Sequence, residues 1–201
     1  MRLENERVIL RDLIASDVED RVRWQTAETE WLSWDAPWEN DPRSIFYEPF
    51  NEEQYRRACA ARLAHPLDED AMRMSFQICA NDGKETHIGW CNCYYIDEEY
   101  NYTRYVARHA IGIDIPATAA RRKGYATAAW TLFIRYLYAH GVTDIYTQTW
   151  SGNLRVQGLI KKLGFIEVSR KKDRHIINGE YYDALTFRLS RYAFERAVRR
   201  I

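Results

Sequence analysis

The stretch Arg121-Arg122-Lys123-Gly124-Tyr125-Ala126 decides the reading of this chain. A strand-like run, Tyr105 to Ile115, comes before it and ends at Pro116. A helical pattern from about Gly124 to His140 follows it, with Ala129, Leu132, Phe133, Tyr136 and Leu137 at helical spacing. The start of a helix offers unpaired N–H groups and partial positive charge, which together hold phosphate oxygens. Gly124 lets the backbone turn and come close to an anion, and Ala126 is small for the same reason. Three consecutive basic side chains add attraction. Taken alone, the run fits a solvated basic turn equally well.

C-terminal to it, Gly141 suits a helix end, and Ile145 to Trp150 reads as a strand. Asn153 suits a helix cap, with Val156, Leu159, Ile160 and Leu163 on one face and Gly164 as the stop. Gly158 inside that helix costs about 1 kcal/mol against Ala and suits close packing. A hairpin follows: Glu167–Ile177, the turn Asn178-Gly179, then Tyr181–Leu189. Ser190 can cap a last, Arg-rich helix.

N-terminal to it, Arg7 to Arg11 reads as a strand, and Ser16-Asp17-Val18-Glu19 as a capping box. Residues 33–50 carry Trp34, Pro37, Trp38, Pro42, Phe46, Tyr47, Pro49 and Phe50, an aromatic, proline-broken loop. Asn51 caps a helix that should stop before Pro66. Met74–Ala80 and Thr86–Ile96 are strands joined by Asn81-Asp82-Gly83. The order predicts an α+β fold: a mixed seven-stranded sheet with helices on both faces. Without repeats or a Gly/Ser linker, residues 1–201 read as a single domain.

The chain has no net charge, but residues 1–100 carry −11 and residues 101–201 carry +11. A basic half suits a phosphate-bearing ligand and an acidic half a cationic one; solvated faces would account for both. No apolar run is long enough to span a bilayer, and Glu4 and Glu6 interrupt any signal-peptide core. A cytoplasmic protein with no membrane association is expected. Cys59, Cys79, Cys91 and Cys93 lack zinc-ligand spacing and read as reduced, structural thiols.

The basic run resembles the Arg/Gln-x-x-Gly-x-Gly/Ala signature of the GNAT superfamily of N-acetyltransferases. Further on, Thr149-Trp150-Ser151-Gly152-Asn153 and Lys161-Lys162-Leu163-Gly164-Phe165 resemble that superfamily's second block. The opening Arg7-Val8-Ile9-Leu10-Arg11-Asp12-Leu13 and the closing Gly179-Glu180-Tyr181-Tyr182-Asp183 are similar to the RimJ/RimL-like, ribosomal-protein-acetylating branch. The resemblance implies acetyl-CoA as donor and a small-molecule amine or peptide N-terminus as acceptor. It implies that Ile113 and Ile115 pair with the pantetheine arm. The amides of Arg122, Lys123, Gly124, Tyr125 and Ala126, with Arg121 and Thr127, would serve the pyrophosphate, and Asn153 the pantetheine.

Direct attack of an amine on a thioester needs a base, an oxyanion donor and an acid for the thiolate. Here the chain departs from the family patterns. Ile160 stands where many members place an acidic Tyr, and Val156 where others place a Ser. Ser151 and Tyr146 are the nearby hydroxyl candidates, and a positioned water is another. His109 shares the parity of Ile113 and has a suitable ordinary pKa, so it is the candidate base; a partnered strand histidine is the plainer reading. Asp114 faces the opposite way and reads as structural. Asp35 and Glu39 could orient an ammonium group, with Trp34 and Trp38 as cation–π faces; a packed surface loop is the alternative. No metal site and no nucleic-acid partner are expected, and the chain could be a monomer or a homodimer. A non-catalytic CoA-binding or sensing module is the competing function.

Overall fold

The computed structural model describes residues 1–45 and 47–200; Phe46, counted above in the aromatic loop, lies outside them. The chain packs as two compact units, Met1–Trp90 with Asp114–Tyr125, and Cys91–Ile113 with Ala126 onward.

The first unit holds β1 (Arg2–Glu4), β2 (Val8–Arg11), α1 (Ala15–Thr26), a 3₁₀ turn (Thr29–Ser33), α2 (Glu52–Ala64), β3 (Ser75–Ala80) and the first residues of β4 (His87–Ile96). The strand order is β1-β2-β3-β4. β2 pairs antiparallel with both neighbours, Leu10 opposite Leu3 on one side and Ile78 on the other. Val8, Ile9, Leu10, Phe76 and Ile78 are all buried, which explains their unbroken apolar run. Three indoles pack together: Trp31 donates to the Trp24 carbonyl at 2.8 Å and meets Trp90 edge-on, 5.2 Å between centroids.

A buried ion pair joins β2 to α1. Arg11 donates to both carboxylate oxygens of Asp17, at 2.6 and 2.8 Å. Asp17 also accepts from the Ile14 N–H at 2.8 Å, which caps the helix. The helix therefore starts at Ala15, one residue before the Ser16 box, because Asp17 is the residue that reaches back. His87 Nδ1 lies 3.5 Å from the same carboxylate and 3.0 Å from Asp20.

The second unit runs β4-β6-β7-β9-β8, with β5 (Tyr102–Thr103) pairing beside β4. β6 spans Arg108–Asp114, its last residue falling in the first unit; β7 is Asp144–Trp150, β8 Ile166–Ile177 and β9 Glu180–Ser190. α3 (Tyr125–Ala139) buries Trp130, Phe133, Ile134 and Leu137. α4 (Leu154–Lys162) and α5 (Arg191–Val198) start where expected, Asn153 and Ser190 accepting from Val156 and Ala193 N–H. Asn178 and Gly179 both have positive φ, as the predicted hairpin turn requires.

The α+β class and mixed sheet stand, but the described residues form nine strands rather than seven. β1 and β5 are three and two residues long, too short to show a period in sequence. The four cysteines are buried free thiols. Among the described residues no helix is long and apolar enough to cross a membrane.

Gly89 is needed where the end of β6 meets β4: a Cβ there would lie 2.0 Å from the Asp114 carbonyl oxygen. Gly89→Ala is expected to lower stability by about 1–3 kcal/mol in denaturant unfolding. For Asp17, burial favours the neutral acid, but the Arg11 and Ile14 hydrogen bonds outweigh it and hold the pKa below its ordinary 3.8. That stabilisation is complete above the unfolded value and is lost as pH falls through the lower folded one. Asp17→Asn should cost about 3–5 kcal/mol at neutral pH. Its deficit against the wild type should narrow only below about pH 4 in the same assay.

Candidate functional site

The basic loop is built for close approach. Arg122 has φ 61° and Gly124 φ 84°. Both lie in the left-handed region, so the backbone turns sharply just ahead of the helix. The first turn of α3 contains no acidic side chain. The positive end of the helix is thus left for an outside anion. Arg7 donates to the Lys123 carbonyl at 3.3 Å and steadies the loop from β2.

Arg121 has a different task. Its guanidinium donates to the carbonyls of Ile115 (3.2 Å) and Pro116 (3.1 Å) and pairs with Glu30. Its side chain therefore ties the loop to the segment after β6. The Ile115 carbonyl, one of the groups expected to face a ligand, is occupied by this contact.

β6 and β7 are parallel, and among the described residues their ladder has two rungs, His109↔Ile145 and Ala110↔Tyr146. Past these, Thr147 Oγ1 donates to the Ile111 carbonyl at 2.8 Å. A buried hydroxyl stands there in place of a backbone partner. β6 continues to Asp114. Backbone groups alternate sides along a strand, so Ile113 turns its N–H and C=O the same way as Ile111. Those groups face the β7 side where the ladder has stopped. An extended ligand can pair there as an added strand would.

The first unit gathers charge around Asp114. Its backbone carbonyl packs against Gly89, the neighbour of Trp90. Arg21 lies over the Trp90 ring at 3.2 Å from the centroid, a close cation–π contact. Burial first, then the nearby Asp35 charge, raise the Asp114 pKa well above the usual carboxylate range, with Arg21 and Trp90 opposing. Burial lowers the pKa of Arg21, against the opposing influence of Tyr55 and Asp114. Burial likewise pushes Tyr55 up to about 12. Asp35 is exposed as a residue, while protein atoms crowd its carboxyl. That crowding, with the Glu39 charge, raises its pKa too.

The remaining expected residues are placed as follows. His109 stacks edge-on against Tyr95 at 5.0 Å, and burial lowers its pKa. It sits on a paired rung, four residues before Ile113, or roughly 13 Å along an extended strand. Ser151 Oγ accepts from the Asp183 N–H at 2.9 Å, closing the end of β7 onto β9. Tyr146 is buried with Ile96 and Ala110. Ile160 is buried as well. Trp34 donates to Glu30 at 2.9 Å, Trp38 is half-buried and Glu39 is exposed. Asn153 acts as the α4 cap, accepting from Val156 N–H at 3.2 Å. Ala126 and Thr127 lie in the first turn of α3, and Lys123 and Tyr125 flank Gly124. Sequence reading missed Arg21 and Trp90. Parity placed Asp114 away from His109, but nothing in the spacing linked it to α1.

The residues 7–166 match the family model described as an acetyltransferase (GNAT) domain. No curated protein sequence matches. Solved structures show the same fold at low identity. A GNAT-family acetyltransferase from Bacillus anthracis is 16% identical, with TM-score 0.67, over 94% of this chain and 98% of that one. The RimL ribosomal α-N-protein acetyltransferase in complex with coenzyme A is 13% identical, with TM-score 0.68, over 94% and 98%. Spermidine N-acetyltransferase from Vibrio cholerae, in complex with CoA and spermine, is 18% identical, with TM-score 0.68, over 95% and 99%. With its basic loop at the start of α3, its early-ending parallel ladder and a family match over most of its length, this chain belongs to the GNAT acetyltransferase family.

Proposed function

We propose that this chain moves an acetyl group from acetyl-CoA to a primary amine by direct attack in a ternary complex. The observation that carries this reading is the ladder between β6 and β7. It ends at Ala110↔Tyr146 while β6 runs on to Asp114. The Ile113 backbone can take the pantetheine arm, and its N–H can face the thioester carbonyl oxygen as charge develops. The amides from Arg122 to Ala126, with Thr127, take the pyrophosphate, and Lys123 adds charge. Arg121 fixes the loop from behind, and Asn153 pairs with the pantetheine while capping α4. Acetyl-CoA, when bound, supplies the activated acyl group.

The acceptor is a small-molecule amine or a protein N-terminus, as for the RimJ/RimL-like enzymes that the end motifs resemble. Asp35 and Glu39 draw its ammonium group, and Trp34 and Trp38 offer aromatic faces beside them. Ser151 and Tyr146 are the hydroxyls nearest in sequence to the second block. One is engaged by Asp183 and the other is buried, so water is the simpler proton source for the thiolate. The same two facts, with Ile160 and Val156 in the usual acid positions, favour a second reading: a CoA-binding sensor without turnover.

Isothermal titration with acetyl-CoA should show binding by the wild type. Gly124→Glu should abolish it, since a carboxylate in the loop repels the pyrophosphate and Glu is strained at φ 84°. Unchanged affinity in the variant refutes the pyrophosphate assignment. Acetylation of any member of a panel of polyamines, aminoglycosides and peptides with free N-termini excludes the sensor.

A further inference from the structure

Residues 101–201 carry +11, and the second unit neutralises only part of that charge. Arg170 pairs with Glu167 and Asp183, Arg188 with Asp144, and Lys171 donates to the Glu99 carbonyl. Four cations remain together where the end of α4 meets α5. Lys161, Lys162, Arg196 and Arg200 line one cavity of about 390 Å³, with Tyr192 among them. Among the described residues no carboxylate pairs with any of the four. Arg196 donates to the Tyr192 hydroxyl at 3.5 Å. Arg196 and Arg200 are four residues apart, a spacing at which like charges repel.

Lysines in a last helical turn often meet the carbonyls that the helix leaves unpaired. At the end of α4 the backbone has met them already. Gly164, at φ 88°, lets its own N–H and that of Phe165 bond to the Lys161 and Ile160 carbonyls, both at 3.2 Å. The two lysine ammonium groups are left for another partner. Gly164 also fixes how closely the turn seats on α5. A Cβ there would lie 2.9 Å from the Ala193 carbonyl oxygen and 3.1 Å from the Ala197 Cβ. The cavity is therefore bordered by lysines from α4 and by arginines from the α5 side, with small residues between.

We propose that this cavity binds the phosphate groups of a compact polyphosphate, free or carried by a nucleotide. The inference stands apart from the acetyltransferase reading. Within the second unit the cavity is also distant from the proposed CoA contact at Asn153. The whole length of α4, about 14 Å, separates that residue from Lys162.

The chemistry of the lining selects this class of ligand. Adjacent phosphates bring several negative charges and many acceptor oxygens in a small space, and four cations can share them. A single carboxylate would engage one or two of the four. Guanidinium forks suit phosphate oxygens, and ammonium groups act as point charges beside them. The volume falls in the range of small-molecule sites, roughly 300–1,000 Å³. Tyr192 is exposed, with the Arg196 guanidinium 5.6 Å from its ring centre, so it can offer a face to a base.

Calorimetric titration of the full chain with tripolyphosphate and with ATP tests the proposal. Both should bind, and Lys162→Ala and Arg196→Ala should each weaken binding about 5- to 20-fold. Lys162→Arg and Arg196→Lys keep the charge and should keep most of the affinity. In nitrogen-15 NMR spectra the Gly164, Ala193 and Ala197 amides should shift with added ligand. A preference for ATP that Tyr192→Ala removes assigns the site to a nucleotide; equal affinities assign it to the phosphate chain alone. No binding of either compound at about 1 mM overturns the proposal. So does a loss of twofold or less in the variant with both alanines, or amide shifts confined to residues 121–127, which would place the phosphates at the basic loop. Tighter binding of a single-stranded oligonucleotide, lost in the same double variant, would assign the patch to nucleic acid and also overturn it.

Discussion

The parallel pairing of β6 with β7 stops after two rungs, and the proposed binding of CoA depends on where it stops. A parallel ladder satisfies backbone groups on both strands, so ending one early leaves donors and acceptors in need of partners. Thr147 meets the first of these with its hydroxyl, which is buried and 2.8 Å from the Ile111 carbonyl. The next groups on that side belong to Ile113. A ligand with amide bonds of its own can satisfy them as a neighbouring strand would. The pantetheine arm of CoA is such a ligand.

The loop that follows β6 is held to its own first residues by one side chain. Arg121 holds the carbonyls of Ile115 and Pro116, and so ties the start of the basic loop to the chain just beyond the strand. Backbone then does the work that side chains advertise. Left-handed residues at Arg122 and Gly124 turn the backbone ahead of α3, and three basic side chains lie on that turn.

Removing a carboxylate from water carries an electrostatic cost, and the first unit meets it differently at two aspartates. At Asp114 burial and the Asp35 charge prevail over Arg21, and the pKa rises. At Asp17, which is buried, two Arg11 contacts and a backbone N–H outweigh burial, and the pKa falls. The Asp17 carboxylate is satisfied and anchors a helix to a strand.

Much of this was legible in the sequence because it is local. The helix caps at Asn51, Asn153 and Ser190, the Asn178-Gly179 turn and the glycine of the basic loop each depend on residues a few positions apart. The α+β order followed from such signals, and the resemblance to GNAT enzymes rested on two of them at the right spacing. The short strands β1 and β5 were not legible, since two or three residues define no period. Nor were the surroundings of Asp114. The sequence carries an aspartate at the end of a strand, and parity says only that it faces away from His109. Folding decided its electrostatic setting: burial and the Asp35 charge raise its pKa, and Arg21, stacked on Trp90, opposes the rise. Those residues are distant along the chain, and the pKa of a carboxyl is set by the charges and solvent that tertiary packing brings to it or removes.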